Sequence, residues 1–166
     1  MGMFAGMNLN QFHGSGGGNY FKDGDFVCRV QSMKVITKRD GHTAFIAEFE
    51  VLESNNDEIK VGSIRSFYVP LSDAQFKETS YGNMVDAMRA ATATMMFIHG
   101  SPTDPMPVVK DVAISDEDAD SIIAEDQPLA GAICGVRAYT IITKIKKQQF
   151  TKHEFFVPTN ARDYAR

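Results

Sequence analysis

Apolar and polar positions alternate most regularly over residues 43–53 (TAFIAEFEVLE). Phe45, Ala47, Phe49 and Val51 fall on one face there, and Glu48 and Glu50 on the other. A period of two predicts a strand with one buried face. The preceding stretch, 25–38 (DFVCRVQSMKVITK), is rich in β-branched and aromatic side chains, and Asp40-Gly41 in the break between the two is a strong hairpin signal. After the turn Ser54-Asn55-Asn56-Asp57, residues 62–69 (GSIRSFYV) predict a third strand. Pro70 ends it, because proline has no N–H to give to a ladder. These three segments predict an antiparallel meander.

Within the first strand, Phe26, Cys28 and Val30 share one phase, whereas Met33 and Val35 share the other. The apolar face switches near Ser32, which predicts a bulge or sharp bend there. A first strand bent in this way can pair with both the second and the fourth strand, as a small barrel requires. Arg29, Gln31 and Lys34 then point outward.

Beyond Pro70 the period lengthens. Ser72 with Asp73, or Ser80 with Tyr81, offers a helix cap, and Val85, Met88, Thr92 and Met95 recur at helical spacing through 83–99. The methionine stripe reads as a core face. Residues 115–126 open with a Ser-x-x-Asp capping box and predict a short helix. Two strands end the chain, at 132–144 and 150–158. In the first of them Cys134, Val136, Ala138, Thr140 and Ile142 share the inner phase, opposite Arg137 and Tyr139.

The predicted fold is all-β with one main helix: a five-stranded antiparallel barrel, the helix between strands 3 and 4, and a short acidic helical insertion. That order resembles the OB-fold, a five-stranded, partly open barrel. The runs GGGNYFKDGDFVCRVQSMKVITKRDGHTAFIAEFEVLES, VGSIRSFYVPL and YGNMVDAMRAA, with a return over 135–158, also resemble the OB-fold single-stranded DNA-binding proteins encoded by tailed bacteriophages. Phe67 stands where such proteins often carry a tryptophan on the third strand. The resemblance implies binding and protection of single-stranded DNA during phage replication or recombination, in the host bacterial cytoplasm.

Charge changes this picture in one respect. The net charge of −4 is carried by residues 111–126, which hold seven acids (Asp111, Asp116, Glu117, Asp118, Asp120, Glu125, Asp126) and no base. Outside them 17 bases face 14 acids, a net of +3. The acidic segment reads as a solvated helix start, or as a competitor for the basic face and a recruiter of replication proteins.

A single strand is held by cations along its phosphates and by aromatic faces under its bases. In an OB-fold the loops joining strands 1–2 and 4–5 flank the binding face. Here they carry Lys38 and Arg39 on one side, and Lys144, Lys146 and Lys147 on the other, with Lys152 just beyond. The outward phase adds Arg29, Lys34, Arg65 beside Phe67, and Arg137 beside Tyr139. These residues predict a groove with basic banks and a floor of Phe67 and Tyr139. The alternative is a solvated face, with Phe67 or Tyr139 packed beneath the helix.

Catalysis finds little footing. His13, His42, His99 and His153 are scattered, and Asp116-Glu117-Asp118 is one local acidic run without a framework for a metal. The expectation is a binding protein with no enzymatic activity, no metal and no cofactor. The two cysteines, Cys28 and Cys134, both fall on inward phases and read as reduced core thiols. No apolar run reaches bilayer length and no leader pattern opens the chain, so a cytoplasmic location is expected, with no membrane partner. Residues 1–18 (with Gly16-Gly17-Gly18) predict a flexible arm, 19–158 the folded domain and 159–166 a polar tail. A non-enzymatic phage structural or protein-interaction module on the same barrel is the second reading, with the arm docking on a neighbouring subunit.

Overall fold

The computed structural model describes residues 20–72, 77–145 and 147–164. The arm over 1–18 and Lys146 lie outside the described residues. The elements in chain order are β1 (Gly24–Thr37), β2 (Thr43–Ser54), β3 (Ile64–Pro70), α1 (Lys77–His99), α2 (Asp116–Ile122), β4 (Ile133–Ile142) and β5 (Gln149–Phe156). The strands form one antiparallel sheet in the order β3-β2-β1-β4-β5. This is the expected OB-like arrangement, mostly β with one main helix between β3 and β4 and a second, short one after it.

β1 organises the sheet. Its first half pairs with β2 on one side and with β4 on the other, from Gly24 opposite Ala138 to Arg29 opposite Ile133. The β1–β2 register slips between Val30 and Ser32, leaving Gln31 as the extra residue, and again between Val27 and Cys28. The first slip is the bulge that the phase switch predicts. It lets Val30 and Met33 both reach the core despite odd spacing, and both are buried. The β1–β2 turn closes on Gly41 at φ 86°, with the Lys38 amide donating to the His42 carbonyl at 2.8 Å.

Past the bulge β4 has diverged, and β1 needs another partner on that edge. Gln127 supplies it. Its Oε1 accepts from the Met33 amide at 2.7 Å, and its Nε2 donates to the Met33 carbonyl at 2.9 Å and to the Ala124 carbonyl at 2.9 Å. One side-chain amide thereby takes the place of a strand. It also ties the acidic insertion to the middle strand of the sheet. α2 begins at Ser115 with the predicted capping box, each of Ser115 and Asp118 bonding the other's main chain.

The core is the inner face of the sheet under α1. Phe26, Phe45, Phe49, Met33, Val51 and Val136 are almost wholly buried, together with Met84, Ala87, Met88 and Ala91 from the helix. The helix begins before the expected residue 83, so Ser80 lies inside it, buried, and does not cap it. Met88 belongs to the core as expected, but the deepest stripe also takes in Ala90, Ala93 and Thr94. Thr94 satisfies its hydroxyl on the Ala90 carbonyl at 2.8 Å. Cys28 and Cys134 are register partners in β1 and β4, both free and fully buried, and burial raises both thiols above their ordinary range.

The C-terminal segment is a built part of the domain. Ala161–Tyr164 forms a 3-10 turn with Ala161 fully buried. Arg162 donates to the carbonyls of Phe97 at 3.1 Å and Ser101 at 3.0 Å, at the end of α1, and lies 4.1 Å over the Phe97 ring. Asn160 and Tyr164 both donate to the Glu53 carboxylate.

The barrel is not closed. β3 and β5 are the two margins of the sheet, run in the same direction, and share no ladder. Side chains bridge the seam instead. The Phe67 ring sits 4.9 Å from both His153 and Phe155, and Phe21, just ahead of β1, stands 6.1 Å from His153.

The Gln127 bridge makes a direct prediction. Gln127→Ala leaves a partly buried N–H and C=O at Met33 without their partner, which should lower stability by about 1–3 kcal/mol. Urea unfolding measures it. An unchanged midpoint would mean that water replaces the amide at no cost.

Candidate nucleic-acid interface

Strand direction sets where the basic loops go. The β1–β2 turn follows the far end of β1, beside the end of β3, where the Thr43 amide donates to the Ser72 hydroxyl at 2.6 Å. β4 runs the other way and overhangs the start of β1, where Thr140 bonds Asp23 at 2.7 Å. The two basic tips therefore lie at opposite ends of β1. The open seam between β3 and β5 runs from one toward the other.

At the first tip, Lys38 and Arg39 are exposed, and the Lys38 ammonium sits 5.0 Å from the centroid of the Tyr68 ring. Tyr68 is half-buried on the outer phase of β3, paired with Ile46. Tyr20 lies close by and makes an isolated parallel bridge with Ser66. Burial raises the Tyr20 phenol above its usual range, the neighbouring Tyr68 adds to this, and Lys38 opposes it. Lys34 is exposed beyond the bulge on the same hairpin.

At the second tip, Lys144 and Lys147 are exposed, and Lys152 is exposed on β5 opposite Tyr139. Ile145 is 93% exposed and Phe150 45%, so this tip mixes cations with uncovered apolar surface. Composition alone draws attention to its lysines and passes over Phe150, whose place opposite Ile141 on the outer face only the register reveals.

Between the tips lies an open cavity of about 540 Å³, lined by Tyr20, Phe21 and Lys22, by Ser66 and Tyr68 of β3, and by Thr151 and His153 of β5. Sequence reasoning missed this lining. An adjacent pair of aromatics on β3, Phe67-Tyr68, was the available signal.

Two of the predicted site residues are placed otherwise than expected. Phe67 is buried at 5% exposure, so the outward phase assigned to it is inverted. It pairs with Ala47 on the inner face and packs against Phe45, His153 and Phe155, leaving Tyr68 as the ring that faces out. Arg65 shares the phase of Phe67 and is drawn partly inside, where it donates to the Tyr20 carbonyl at 3.2 Å.

Three more carry ion pairs or hydrogen bonds to acids. Arg29 pairs with Glu50 at 3.5 Å and lines a separate cavity of about 290 Å³ beside Met95, Ile98 and Tyr164. Arg137 holds Asp25 at 2.8 Å, which keeps its guanidinium above even its usual range. Tyr139 donates to Glu154 at 3.0 Å, and that bond raises its phenol. The structure brings Lys38, Arg39 and Lys34 together at one end, and Lys144, Lys147 and Lys152 at the other.

No protein-family model matches the sequence, and no curated protein matches it. Among the described residues no group of His, Cys, Asp or Glu is placed to hold a metal ion, and no helix is long and apolar enough to cross a membrane.

His153 gives the seam a pH dependence. Burial pushes its imidazole from 6.5 down to about 4, and Nε2 has no hydrogen-bond partner among the described residues. The folded protein keeps the ring neutral where the unfolded chain takes up a proton. Stability therefore falls as pH drops from about 6.5 toward about 4, by a total approaching about 3 kcal/mol. Over pH 6.5 to 5, before most carboxylates titrate, unfolding free energy should decline in the parent protein and stay nearly level in His153→Phe. Equal declines in both would place the titration elsewhere.

Proposed function

We propose that this protein binds single-stranded DNA without a duplex partner, as a non-enzymatic coating protein of replication or recombination. The observation that supports this most directly is Lys38 over the Tyr68 ring, at the head of an unclosed seam whose other end opens at a second basic hairpin. Cations at both ends meet phosphates, and half-buried tyrosines between them offer faces on which any base stacks. The stacking platform in this reading is Tyr68 with Tyr20, and Phe150 at the far tip, in place of Phe67. The phage setting and a cytoplasmic location come from the sequence resemblance. The acidic insertion is anchored at Met33 on the middle strand, away from the seam, so it serves as a surface for other replication proteins more readily than as a competitor for the groove.

Fluorescence anisotropy with single-stranded and duplex oligonucleotides at two salt concentrations tests the reading. The single strand should bind more tightly, with affinity falling as salt rises. Changing Lys38 and Arg39 to alanine, or Lys144, Lys146 and Lys147 to alanine, should flatten the dependence of log K on log salt by about 0.7 for each phosphate no longer neutralised. Tyr68→Ala should weaken binding about 5- to 150-fold, corresponding to about 1–3 kcal/mol for a missing stack, with the salt slope nearly unchanged. Salt-independent affinity, or parental binding by both lysine variants, would refute the proposal and leave the protein-interaction module as the better account.

A further inference from the structure

Coating needs only a track, yet the seam holds a cavity whose lining is unlike a phosphate track. Its interior is made of the rings of Tyr20, Phe21 and Tyr68 and the hydroxyls of Ser66 and Thr151, one from each facing strand. Among the described residues that line it, Lys22 is the one lysine or arginine, and it stands at the surface, half-exposed and 3.1 Å from Glu58. The imidazole of His153 is neutral near pH 7, so the described residues of the interior carry no charge to draw a phosphate in. Hydroxyls can donate or accept, and therefore suit the mixed donors and acceptors on the edge of a nucleobase. No ladder joins β3 and β5, and the open edge of β3 is met at Ser66 by the bridge from Tyr20. A volume of about 540 Å³ is ample for one base with its sugar.

We propose that this cavity between β3 and β5 is a base-reading pocket, which takes one unstacked nucleobase of the bound strand between aromatic walls and reads its edge through Ser66 and Thr151. The inference rests on the single-strand function proposed above and adds to it a preference among bases at one position. Lys22 lines the cavity and Lys38 lies over the Tyr68 ring of its wall, so these two cations are the ones available to the phosphates on either side of the inserted base. The Tyr20–Ser66 bridge holds one wall in place.

The test titrates the four nucleoside 5′-monophosphates, with ribose 5-phosphate as the control lacking a base, while backbone amide resonances are followed by NMR. At least one nucleotide should shift Ser66, Tyr68, Thr151 and His153, and ribose 5-phosphate should not. Ser66→Ala with Thr151→Val keeps the size and shape of the lining, and should weaken that nucleotide at least about fivefold and narrow the affinity differences among homopolymeric oligonucleotides. Oligonucleotide affinity measured in parallel separates the two ways of failing. If oligonucleotides bind but nucleotides and ribose phosphate shift the same residues equally, or leave the cavity residues unmoved, the pocket is refuted and the strand reading stands. If a nucleotide enters the cavity but oligonucleotides do not bind, the pocket stands as a mononucleotide site and the strand reading is refuted. Unaltered homopolymer preferences in the double variant would also overturn the pocket.

Discussion

The fold depends on one strand serving two neighbours. β1 must satisfy β2 from Phe26 to Thr37 and β4 along its first half, while Phe26, Cys28, Val30 and Met33 stay in one core. A regular period of two cannot meet both demands on a sheet that curls this tightly. The extra residue at Gln31 resolves the conflict by turning the strand and restoring the inner phase at Met33. The consequence is an edge of β1 that β4 can no longer cover. The amide of Gln127 covers it, and that bridge also fixes where the acidic insertion sits.

The same curl leaves β3 and β5 facing each other without hydrogen bonds. A fully closed barrel would have no free margins. Here Phe67, Phe155, His153 and Phe21 seal the inner side of the seam, and the outer side stays open as a cavity. Sealing a seam with rings requires a histidine to remain neutral in an apolar setting, which is why its imidazole is pushed down. Stability and the candidate site are therefore coupled through one set of side chains. Phe21 and His153, which help close the core from inside, also line the cavity beside Tyr20 and Tyr68.

Charge is divided along the same lines. Two cations of the sheet are held by acids across it, Arg29 by Glu50 and Arg137 by Asp25. The half-exposed Arg137–Asp25 pair adds little to stability, and both pairs offset positive charge in the middle of the sheet. Exposed lysines stand at both hairpin tips, at either end of the open seam, and Lys22, Lys60 and Lys110 are exposed elsewhere.

Local features were legible in the sequence because their causes are local. The alternation over 43–53 comes from residues two apart, the Asp40-Gly41 turn from one positive φ, and the Ser115–Asp118 box from residues three apart. Even the bulge left its mark, as a change of phase inside one strand. The facing of β3 was not legible, because IRSFYVP offers aromatic or apolar side chains on both phases. Only pairing with β2 decides that Phe67 goes in beside Ala47 and that Tyr68 comes out beside Ile46. The partnership of Gln127 with Met33 spans 94 residues, and the seam is lined by Tyr20, Ser66 and Thr151 from three distant parts of the chain. Residues that far apart carry no shared periodicity. Sequence determined which segments are strands and which face of β2 is apolar, and tertiary structure decided which rings are buried, because burial depends on what packs opposite.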